Sequence, residues 1–368
     1  MPTERPSFGD RRSRAAAKLR EHDLAALLLT PGADLRYLSG YQIFASERLT
    51  CLVIDREGTA TLVCPEFEAP RASAAAPDLS RATWSETEDP YARVASLIRG
   101  AGGLAVADQM WAAFMLRLEG ALPERTFRLA SEVTRELRMR KDAGERDALR
   151  RASESADRAY ARILERPFAG RTEREIGADL ANLLRDEGHD EVDFTIVASG
   201  PNGASPHHET GERRMADGDT VVLDFGGGLG GYRSDITRTV HVGRAIDPEE
   251  RRVHDIVRRA QEAGYDSARA GAPAEAVDAA SRAVIDEAGY GAFFIHRTGH
   301  GIGLDGHEHP YLVRGNREPL EPGMAFSIEP GIYLAGRFGV RIEDIAIIDD
   351  DGAVLPLNRA DHAFATVG

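Results

Sequence analysis

Hydrophobic residues in the first third of the chain form two kinds of pattern that alternate with each other. From about residue 10, RRSRAAAKLREHD has the spacing of an amphipathic helix, whereas LAALLL, TCLVID, TATLVCP and GLAVAD are short apolar runs of strand length. Strands that alternate with helices are typical of an α/β layer arrangement. We therefore predict an α/β domain in the N-terminal part of the chain.

A charge-rich segment from Ser131 to Pro167 separates this region from the rest of the chain. Its apolar positions, which include Leu149, Ala152 and Ala156, are three or four residues apart and predict a helical segment. A chain of 368 residues exceeds the size that one hydrophobic core usually serves. We place a domain boundary near Arg138, which gives domains of residues 1–136 and 137–368.

The C-terminal part combines helices with many β-rich segments. A capping-box pattern from Thr172 to Glu175 begins a helix that we expect to end at Gly188, and VDAASRAVIDEAG predicts another helix. The β-rich segments are FTIVASG, TVVLDFGGGL, GYRSDITRTVHVG, MAFSIEPGIYL and VRIEDIAIID. Together they predict an α+β domain with a largely antiparallel sheet that helices flank.

Charge and cysteine content narrow the class of protein. The formal net charge of −14 argues against nucleic acid and anionic membrane surfaces as partners, so small molecules or peptides are expected instead. Cys51 and Cys64 lie in apolar segments and are predicted to be small core residues. No apolar run of about 18 residues occurs, and the charged N-terminus does not resemble a signal peptide, which predicts a cytoplasmic protein.

Arginine greatly outnumbers lysine among the basic residues of the chain. Lys18 and Lys141 are the only lysines among the 46 Lys and Arg residues. An arginine-rich, acidic chain fits either adaptation to high salt or a GC-rich genome, and the sequence leaves both explanations open.

Four acidic residues occur in or beside segments that otherwise bury hydrophobic side chains. Asp224 follows Val221–Leu223, Asp235 lies on the returning strand of a predicted hairpin, Glu329 follows the strand MAFSI, and Glu343 lies within an apolar strand. Each has an ordinary explanation when taken alone, such as a turn residue, an edge residue or a salt bridge between Glu343 and Arg341. A buried carboxylate nevertheless needs a cation or several hydrogen-bond donors.

Between the two pairs of carboxylates lies HRTGHGIGLDGHEHP, which contains four histidines. Two Asp, two Glu and one His would suit two divalent cations that share bridging carboxylates at a separation of about 3.5–4 Å and leave room for a bridging water. The sequence therefore indicates a hydrolase with a dinuclear metal site.

Five motifs in this part of the chain carry a specific resemblance. LDFGG, SDITR, TGHGIG, SIEPG and RIED occur in the order found in the pita-bread metallopeptidases, which include methionine aminopeptidase, aminopeptidase P and prolidase. DLRYLSGY and RMRKDAGERDALRRA resemble the N-terminal domain and the domain junction of prolidases and creatinases. The resemblance thus covers nearly the whole chain and implies a pita-bread C-terminal domain with a curved sheet.

The same resemblance implies roles for individual residues. Asp224 would chelate one metal ion, Asp235 and Glu343 would bridge both ions, and His300 with Glu329 would complete the second ion's ligands. Glu329 would also transfer a proton from water to the leaving nitrogen, and His296 and His307 would stabilise the developing oxyanion and hold the scissile group. His207 would bind substrate or stabilise the tetrahedral intermediate, whereas His208 and His309 have no assigned role. Arg341 precedes Glu343 by two residues, and this spacing indicates that it orients a bridging carboxylate or binds a substrate carboxylate. Tyr333 would line the site or pack in the core.

The activity that the resemblance implies is hydrolysis of an Xaa-Pro bond at the N-terminus of dipeptides or short peptides, with two divalent cations, manganese or cobalt before zinc or iron, in a homodimer. The N-terminal domain favours Xaa-Pro peptidases over methionine aminopeptidase, and GHGIGLDGHEHP and SGPNGASPHH favour prolidase. Aminopeptidase P and a metal-dependent lyase or other hydrolase on the same scaffold are the alternatives. A metal-free creatinase-type enzyme and a binding module are disfavoured because no ligand position is substituted.

Overall fold

The computed structural model describes residues 7–368, which form two compact units that meet in sequence between Arg138 and Met139. This point is close to the boundary that we placed after residue 136. In the described residues, no helix combines the length and the apolar character that a membrane span requires.

The first unit is an α/β domain built on a mixed sheet, as predicted. Its strands are β1 (Leu24–Leu29), β2 (Cys51–Asp55), β3 (Ala60–Pro65), β4 (Ser80–Trp84), β5 (Gly103–Val106) and β6 (Phe127–Leu129). They lie in the order β4-β3-β2-β1-β5-β6, with antiparallel β1–β2 and β2–β3 pairs and parallel pairs elsewhere. The helices are α1 (Phe8–Glu21), α2 (Ala33–Ser39), α3 (Ala69–Ala75), α4 (Pro90–Leu97) and α5 (Ala112–Ala121), followed by α6 (Ser131–Met139) at the end of the unit.

Local chemistry explains the first helix and the core beside it. Ser7 and Asp10 form a capping box at the start of α1, and Ala15, Ala16 and Leu19 form its buried stripe. The two cysteines are buried and unpaired, in agreement with the prediction that both are small core residues.

The second unit contains four long helices, two largely antiparallel sheets and a β-hairpin. The helices are α7 (Ala143–Ile163), α8 (Glu173–Asp186), α9 (Pro248–Ser267) and α10 (Ala274–Glu287). The strands are β7 (Glu191–Ser199), β8 (Thr220–Leu229), β9 (Tyr232–Val242), β10 (Gly299–Gly301), β11 (Glu308–Leu312), β12 (Ala325–Ile328), β13 (Gly331–Leu334), β14 (Phe338–Arg341), β15 (Asp344–Ile348), β16 (Val354–Pro356) and β17 (Thr366–Val367).

One sheet has the order β17-β9-β8-β7 and the other β11-β10-β12-β15-β16, while β13 and β14 form a hairpin. All pairs in this unit are antiparallel except β17 with β9, which confirms the predicted α+β class. An isolated bridge between Thr237 and Glu343 connects β9 to the turn between β14 and β15. This bridge brings Glu343 close to β9, the strand that carries Asp235.

The predicted helical segment from Ser131 to Pro167 is interrupted. Helix α6 ends at Met139, and α7 starts again after Asp142, which forms a capping box with Glu145. Between the two helices, Arg140 pairs with Met324 and the Lys141 amide bonds to the Gly323 carbonyl. The backbone therefore forms a β contact here in place of helical hydrogen bonds.

The capping box that we predicted from Thr172 to Glu175 is present at the start of α8.

Two predicted β segments are also broken, and both breaks fall at acidic residues. Pro330 follows Glu329 and cannot donate to a ladder, so β12 ends at Ile328. The prediction that Glu343 lies within a strand is wrong, because β14 ends at Arg341 and β15 starts at Asp344. Glu343 instead occupies the single bridge to Thr237, which lies two residues beyond Asp235 along β9.

Candidate metal centre

Side chains from five separate segments of the second unit converge at one point. Their ligand atoms form triplets in which all atoms lie within 4.8 Å of one another. The five residues are Asp224 of β8, Asp235 of β9, His300 of β10, Glu329 after β12 and Glu343 before β15. Four of the five are buried, and Glu329 is half-buried.

Strand register explains why the carboxylates of β8 and β9 meet Glu343. Asp224 pairs with Thr237 across the β8–β9 ladder, and Thr237 forms the bridge to Glu343. Asp235 and Thr237 are two residues apart and therefore project from the same face of β9. Opposite Asp235 lies Gly226, where a Cβ atom would come within 2.1 Å of the Ser234 carbonyl oxygen. The glycines that follow Asp224 thus permit the close strand approach beside the site.

The His300 ring is oriented with one nitrogen towards the carboxylates. Its Nδ1 lies 3.1 Å from the Gly301 carbonyl oxygen, which can only accept a hydrogen bond, so Nδ1 carries the proton. Nε2 lies 3.5 Å from Glu329, 3.7 Å from Asp235 and 3.9 Å from Glu343. Burial lowers the pKa of His300 to about 3, which keeps the ring neutral. A neutral imidazole held by its second nitrogen has the form that metal ligands take.

The carboxylates repel one another in the absence of a cation. Burial and then the neighbouring carboxylates raise the pKa of Asp235 and of Glu343 well above their ordinary values. Burial also raises the pKa of Glu329 to about 7, against the opposing effect of Arg341. Burial and mutual repulsion thus disfavour the charged forms of these side chains, and a nearby positive charge would counteract both effects.

Three buried carboxylate oxygens of this cluster accept no hydrogen bond within the described part of the chain. Asp224 Oδ1, Asp235 Oδ1 and Glu343 Oε1 have no hydrogen-bond partner in residues 7–368. An unpartnered buried carboxylate oxygen is unfavourable, whereas a divalent cation with oxygen ligands would compensate all three. The donor set therefore fits divalent metal ions.

Arg341 is the donor at one end of a series of hydrogen bonds beside the carboxylates. Its guanidinium donates to Asp224 Oδ2 at 2.6 Å, to Thr237 Oγ1 at 3.1 Å and to the Tyr333 hydroxyl at 2.9 Å. His296 Nδ1 lies 2.7 Å from the Arg297 carbonyl oxygen and must donate to it. Burial lowers the pKa of His296 to about 4, so the ring is neutral and Nε2 accepts from the Tyr333 hydroxyl at 2.8 Å.

These hydrogen bonds show the surroundings of two residues whose roles the sequence left open. Arg341 is almost fully buried, lines the cavity and pairs with Asp224, a carboxylate of the site. The Tyr333 hydroxyl links Arg341 to His296. Both nitrogens of His296 are engaged, Nδ1 with the Arg297 carbonyl and Nε2 with the Tyr333 hydroxyl, and its role towards the substrate stays a prediction.

The His307 ring differs from that of His296 because its Nδ1 accepts a hydrogen bond. The guanidinium of Arg297 donates to His307 Nδ1 at 3.2 Å, which leaves the proton of the neutral ring on Nε2. Burial and the positive charge of Arg297 lower the pKa of His307. Its ring lies 3.8 Å from the ring of His300. His307 therefore has an N–H available next to the metal ligands.

A cavity of about 790 Å³ opens onto the five residues. Phe194 and Ile196 of β7 provide an apolar wall, and His207, His296 and Arg297 add polar groups. His207 is exposed, whereas the neighbouring His208 donates to Glu173 at 2.8 Å. His309 packs against Tyr311, with ring centroids 4.7 Å apart. A concave site with a few convergent polar groups is typical of small-ligand binding.

The structure thus brings together all five predicted ligands and the predicted neighbours His207, His296, His307 and Arg341. Sequence analysis missed Thr237, which donates to Glu343 Oε2 at 2.7 Å, and Arg297. Thr237 had a detectable signal because it follows Asp235 by two residues on one strand. Arg297 had none, since its place in the cavity depends on the fold of the loop around it.

Relatives and solved structures of known classes match nearly the full chain. The protein named "Probable dipeptidase PepE" from Mycobacterium tuberculosis is 47% identical over 365 residues, with 98% of this chain and 96% of the relative covered. The Xaa-Pro dipeptidase of Lactobacillus delbrueckii subsp. lactis is 34% identical over 348 residues, covering 91% of this chain and 93% of the relative. The crystal structure of recombinant prolidase from Thermococcus sibiricus superimposes with a TM-score of 0.94 at 37% identity, covering 99% of this chain and all of the prolidase chain.

Family assignments agree with these relatives and with the two units of the fold. Residues 11–140 match the Creatinase/Prolidase N-terminal domain, and residues 147–350 match Metallopeptidase family M24. The second match contains all five convergent residues. The chain therefore belongs to Metallopeptidase family M24 and has the pita-bread fold of the prolidases.

Proposed function

We propose that this enzyme is a metal-dependent Xaa-Pro dipeptidase that hydrolyses the bond between a first residue and a second-position proline. The observation that carries the proposal is the cluster of five ligands, in which three buried carboxylate oxygens lack a hydrogen bond. The dipeptidase and prolidase names of the matched relatives support the substrate class.

In this proposal Asp224, Asp235, His300, Glu329 and Glu343 would together hold two divalent cations. When bound, such cations supply Lewis-acid activation of water and of the scissile carbonyl. An oxygen-rich set with one imidazole suits manganese or cobalt, and also accepts zinc or iron. We propose manganese or cobalt as the working metal.

Glu329 and His307 handle the protons and charge of the reaction. The Glu329 carboxylate accepts a proton from the attacking water and delivers it to the leaving proline nitrogen. His307 Nε2–H donates to the carbonyl oxygen as negative charge develops there. His296 and Arg341 hold Tyr333 and Asp224 in place, while His207 contacts substrate from the cavity side.

Arg297 supplies a reason to prefer dipeptides over longer peptides. It lines the cavity, and its guanidinium stacks over the Tyr311 ring at 4.3 Å. In residues 7–368 it forms no ion pair with a carboxylate, whereas Arg341, the other arginine of the cavity lining, is paired with Asp224. We propose that Arg297 pairs with the free carboxylate of a bound dipeptide, a group that longer peptides lack at the second residue.

A cytoplasmic location and a homodimer remain proposals that rest on the resemblance to prolidases. Fractionation of the producing cells tests the location. Light scattering of the purified protein tests the assembly. A homodimer of this 40.0 kDa chain should have a mass of about 80 kDa, twice the chain mass.

The test of function uses metal-stripped protein with Ala-Pro, Met-Pro and Ala-Pro-Ala, before and after addition of manganese or cobalt, with Asp235→Asn as the control. Metal-dependent cleavage of the dipeptides alone supports the proposal. Cleavage of the tripeptide points to an aminopeptidase P activity. If the metal-loaded protein cleaves none of them, the proposal is wrong and a lyase or other hydrolase on the same scaffold replaces it.

A further inference from the structure

The loop that carries His207 into the cavity runs from Gly200 to Gly211, directly after β7. His207 is exposed, and no hydrogen bond holds its ring in the described part of the chain. A histidine that contacts substrate must nevertheless have a defined position, because small displacements of catalytic groups reduce rates strongly. The position of His207 therefore depends on what holds the loop.

Glu173, in the first turn of α8, holds this loop at both ends. Its side chain is fully buried and accepts five hydrogen bonds. Oε1 accepts from the Ser199 amide at 2.8 Å, the Ser199 hydroxyl at 2.7 Å and the Asn202 amide group at 3.0 Å. Oε2 accepts from His208 Nε2 at 2.8 Å and from the Gly211 amide at 3.2 Å. One carboxylate thus connects the start of the loop, its end and the residue next to His207.

These contacts keep Glu173 ionised within the protein. Burial alone would raise the pKa of Glu173, but the hydrogen bonds from the Ser199 amide, His208 and the Ser199 hydroxyl lower it below the ordinary value. Its position near the N-terminus of α8 favours the negative charge as well. A fixed charge with five donors is a rigid anchor, because releasing any donor leaves a buried polar group unsatisfied.

We propose that Glu173 and His208 are positioning residues that fix His207 over the metal centre. His208, which has no role in the proposed chemistry, links the backbone of the catalytic loop to the Glu173 carboxylate. This inference rests on the proposed function, because it assigns a purpose to the position of His207 in peptide hydrolysis.

Two variants test the proposal without removing the anchor entirely. Glu173→Gln keeps an acceptor oxygen for Ser199 and Asn202 but places an NH₂ group opposite the Gly211 amide and His208. His208→Ala removes only the link next to His207. Ser205→Ala, at an exposed position of the same loop, is the matched control.

The decisive measurement is a double-mutant cycle with His207→Ala and an Xaa-Pro dipeptide as substrate. We expect His208→Ala to lower kcat/KM about tenfold in the wild-type background but less than about twofold in the His207→Ala background. Glu173→Gln should follow the same pattern. An equal loss in both backgrounds would show that these residues act independently of His207, and the proposal would be wrong.

Amide hydrogen exchange of metal-loaded protein provides a readout that does not need activity. Glu173→Gln and His208→Ala should accelerate exchange at the Ser199 and Gly211 amides, whereas Ser205→Ala should not. Unchanged exchange in both variants overturns the inference even if the dipeptidase activity is present. If the wild-type protein cleaves no Xaa-Pro dipeptide, the proposed function fails, and the exchange result alone decides whether Glu173 and His208 hold the loop.

Discussion

The Nη2 atom of Arg341 lies 2.6 Å from Oδ2 of Asp224, and both side chains are almost inaccessible to solvent. This pair occupies one oxygen of Asp224 and leaves Oδ1 without a hydrogen bond. The guanidinium therefore orients the carboxylate while its second oxygen stays available to a cation. It also places a positive charge beside a site that must attract further positive charge.

Replacing Arg341 by methionine should separate metal affinity from activity. Removing the positive charge should leave manganese affinity equal or stronger, because the remaining site is more negative. Activity should fall about 10- to 100-fold, since Asp224 and Tyr333 lose the donor that orients them. Titration calorimetry and kcat/KM of the same preparations test this, with Arg337→Met, at an exposed arginine paired with Glu249, as the control. A parallel loss of affinity and activity would contradict the prediction.

Metal binding should release protons at neutral pH. Burial raises the pKa of Glu329 to about 7, so this side chain is partly protonated at neutral pH in the metal-free site, and burial also raises the pKa values of Asp235 and Glu343. Ligation requires carboxylates, so the apparent affinity should weaken as the pH falls from 8 to 6. Calorimetry in two buffers with different ionisation enthalpies measures the released protons. Glu329→Gln should release fewer, and heats independent of the buffer would refute the prediction.

Arg297→Gln should affect dipeptides selectively. If the guanidinium pairs with the substrate carboxylate, the variant should lose about tenfold in kcat/KM for Ala-Pro, the effect of one charge-assisted hydrogen bond. Hydrolysis of Ala-Pro amide, which lacks the carboxylate, should change little. Arg317→Gln, at a largely exposed arginine, serves as the control. Equal losses for both substrates would assign Arg297 to holding His307 instead.

The buried ion pair between Lys141 and Glu308 should be important for stability. Lys141 Nζ lies 2.6 Å from Glu308 Oε1, and the two side chains are 1% and 9% exposed. Lys141→Met should destabilise the protein by roughly 3 kcal/mol, because it leaves a buried carboxylate without its cation. The double variant Lys141→Met with Glu308→Leu should recover part of this loss. Urea unfolding measures both, and a double variant less stable than the single one would contradict the account.

His254 should make stability depend on pH between 6.5 and 4. Burial, and then the positive charge of Arg258, lower the pKa of His254 to about 4, so the unfolded chain binds a proton in this range that the folded chain does not. Its contribution is therefore fully present above pH 6.5 and is lost, by roughly 3 kcal/mol, on acidification to pH 4. His254→Phe should preserve the stack on Phe364, whose centroid lies 4.5 Å from the histidine ring, and should flatten this slope. Unfolding curves at several pH values provide the test, and an unchanged slope would exclude His254 as its source.

The sequence predicted most of the fold because local patterns determine most of it. Capping boxes, apolar runs and glycine turns identified helices α1, α8 and α10 and the strands β7, β8 and β9 close to their observed bounds. The exceptions occur where tertiary contacts override a local pattern. The break before α7 depends on pairing of Arg140 with Met324, which is far away in sequence.

The candidate site could be predicted in part for a similar reason. A carboxylate such as Asp224 in an apolar strand is anomalous in sequence, whereas a cation in a loop is not. The sequence therefore identified the acidic residues that converge at the site. It could not show that Arg341 is paired with Asp224 whereas Arg297 has no ion pair with a carboxylate in residues 7–368. The contacts of Glu173 with His208 and of Lys141 with Glu308 join residues that are 35 and 167 positions apart, a distance that periodicity does not reveal.

The five convergent residues are spread along the chain from Asp224 to Glu343, after the whole of the first unit. During biosynthesis the N-terminal unit emerges first and can fold while the ligands are still being translated. Asp224 and Asp235 appear together, but the bridge from Thr237 to Glu343 must wait until the β14 hairpin has left the ribosome. A site that needs all five residues is therefore complete only after Glu343 has been translated, late in the synthesis of the chain.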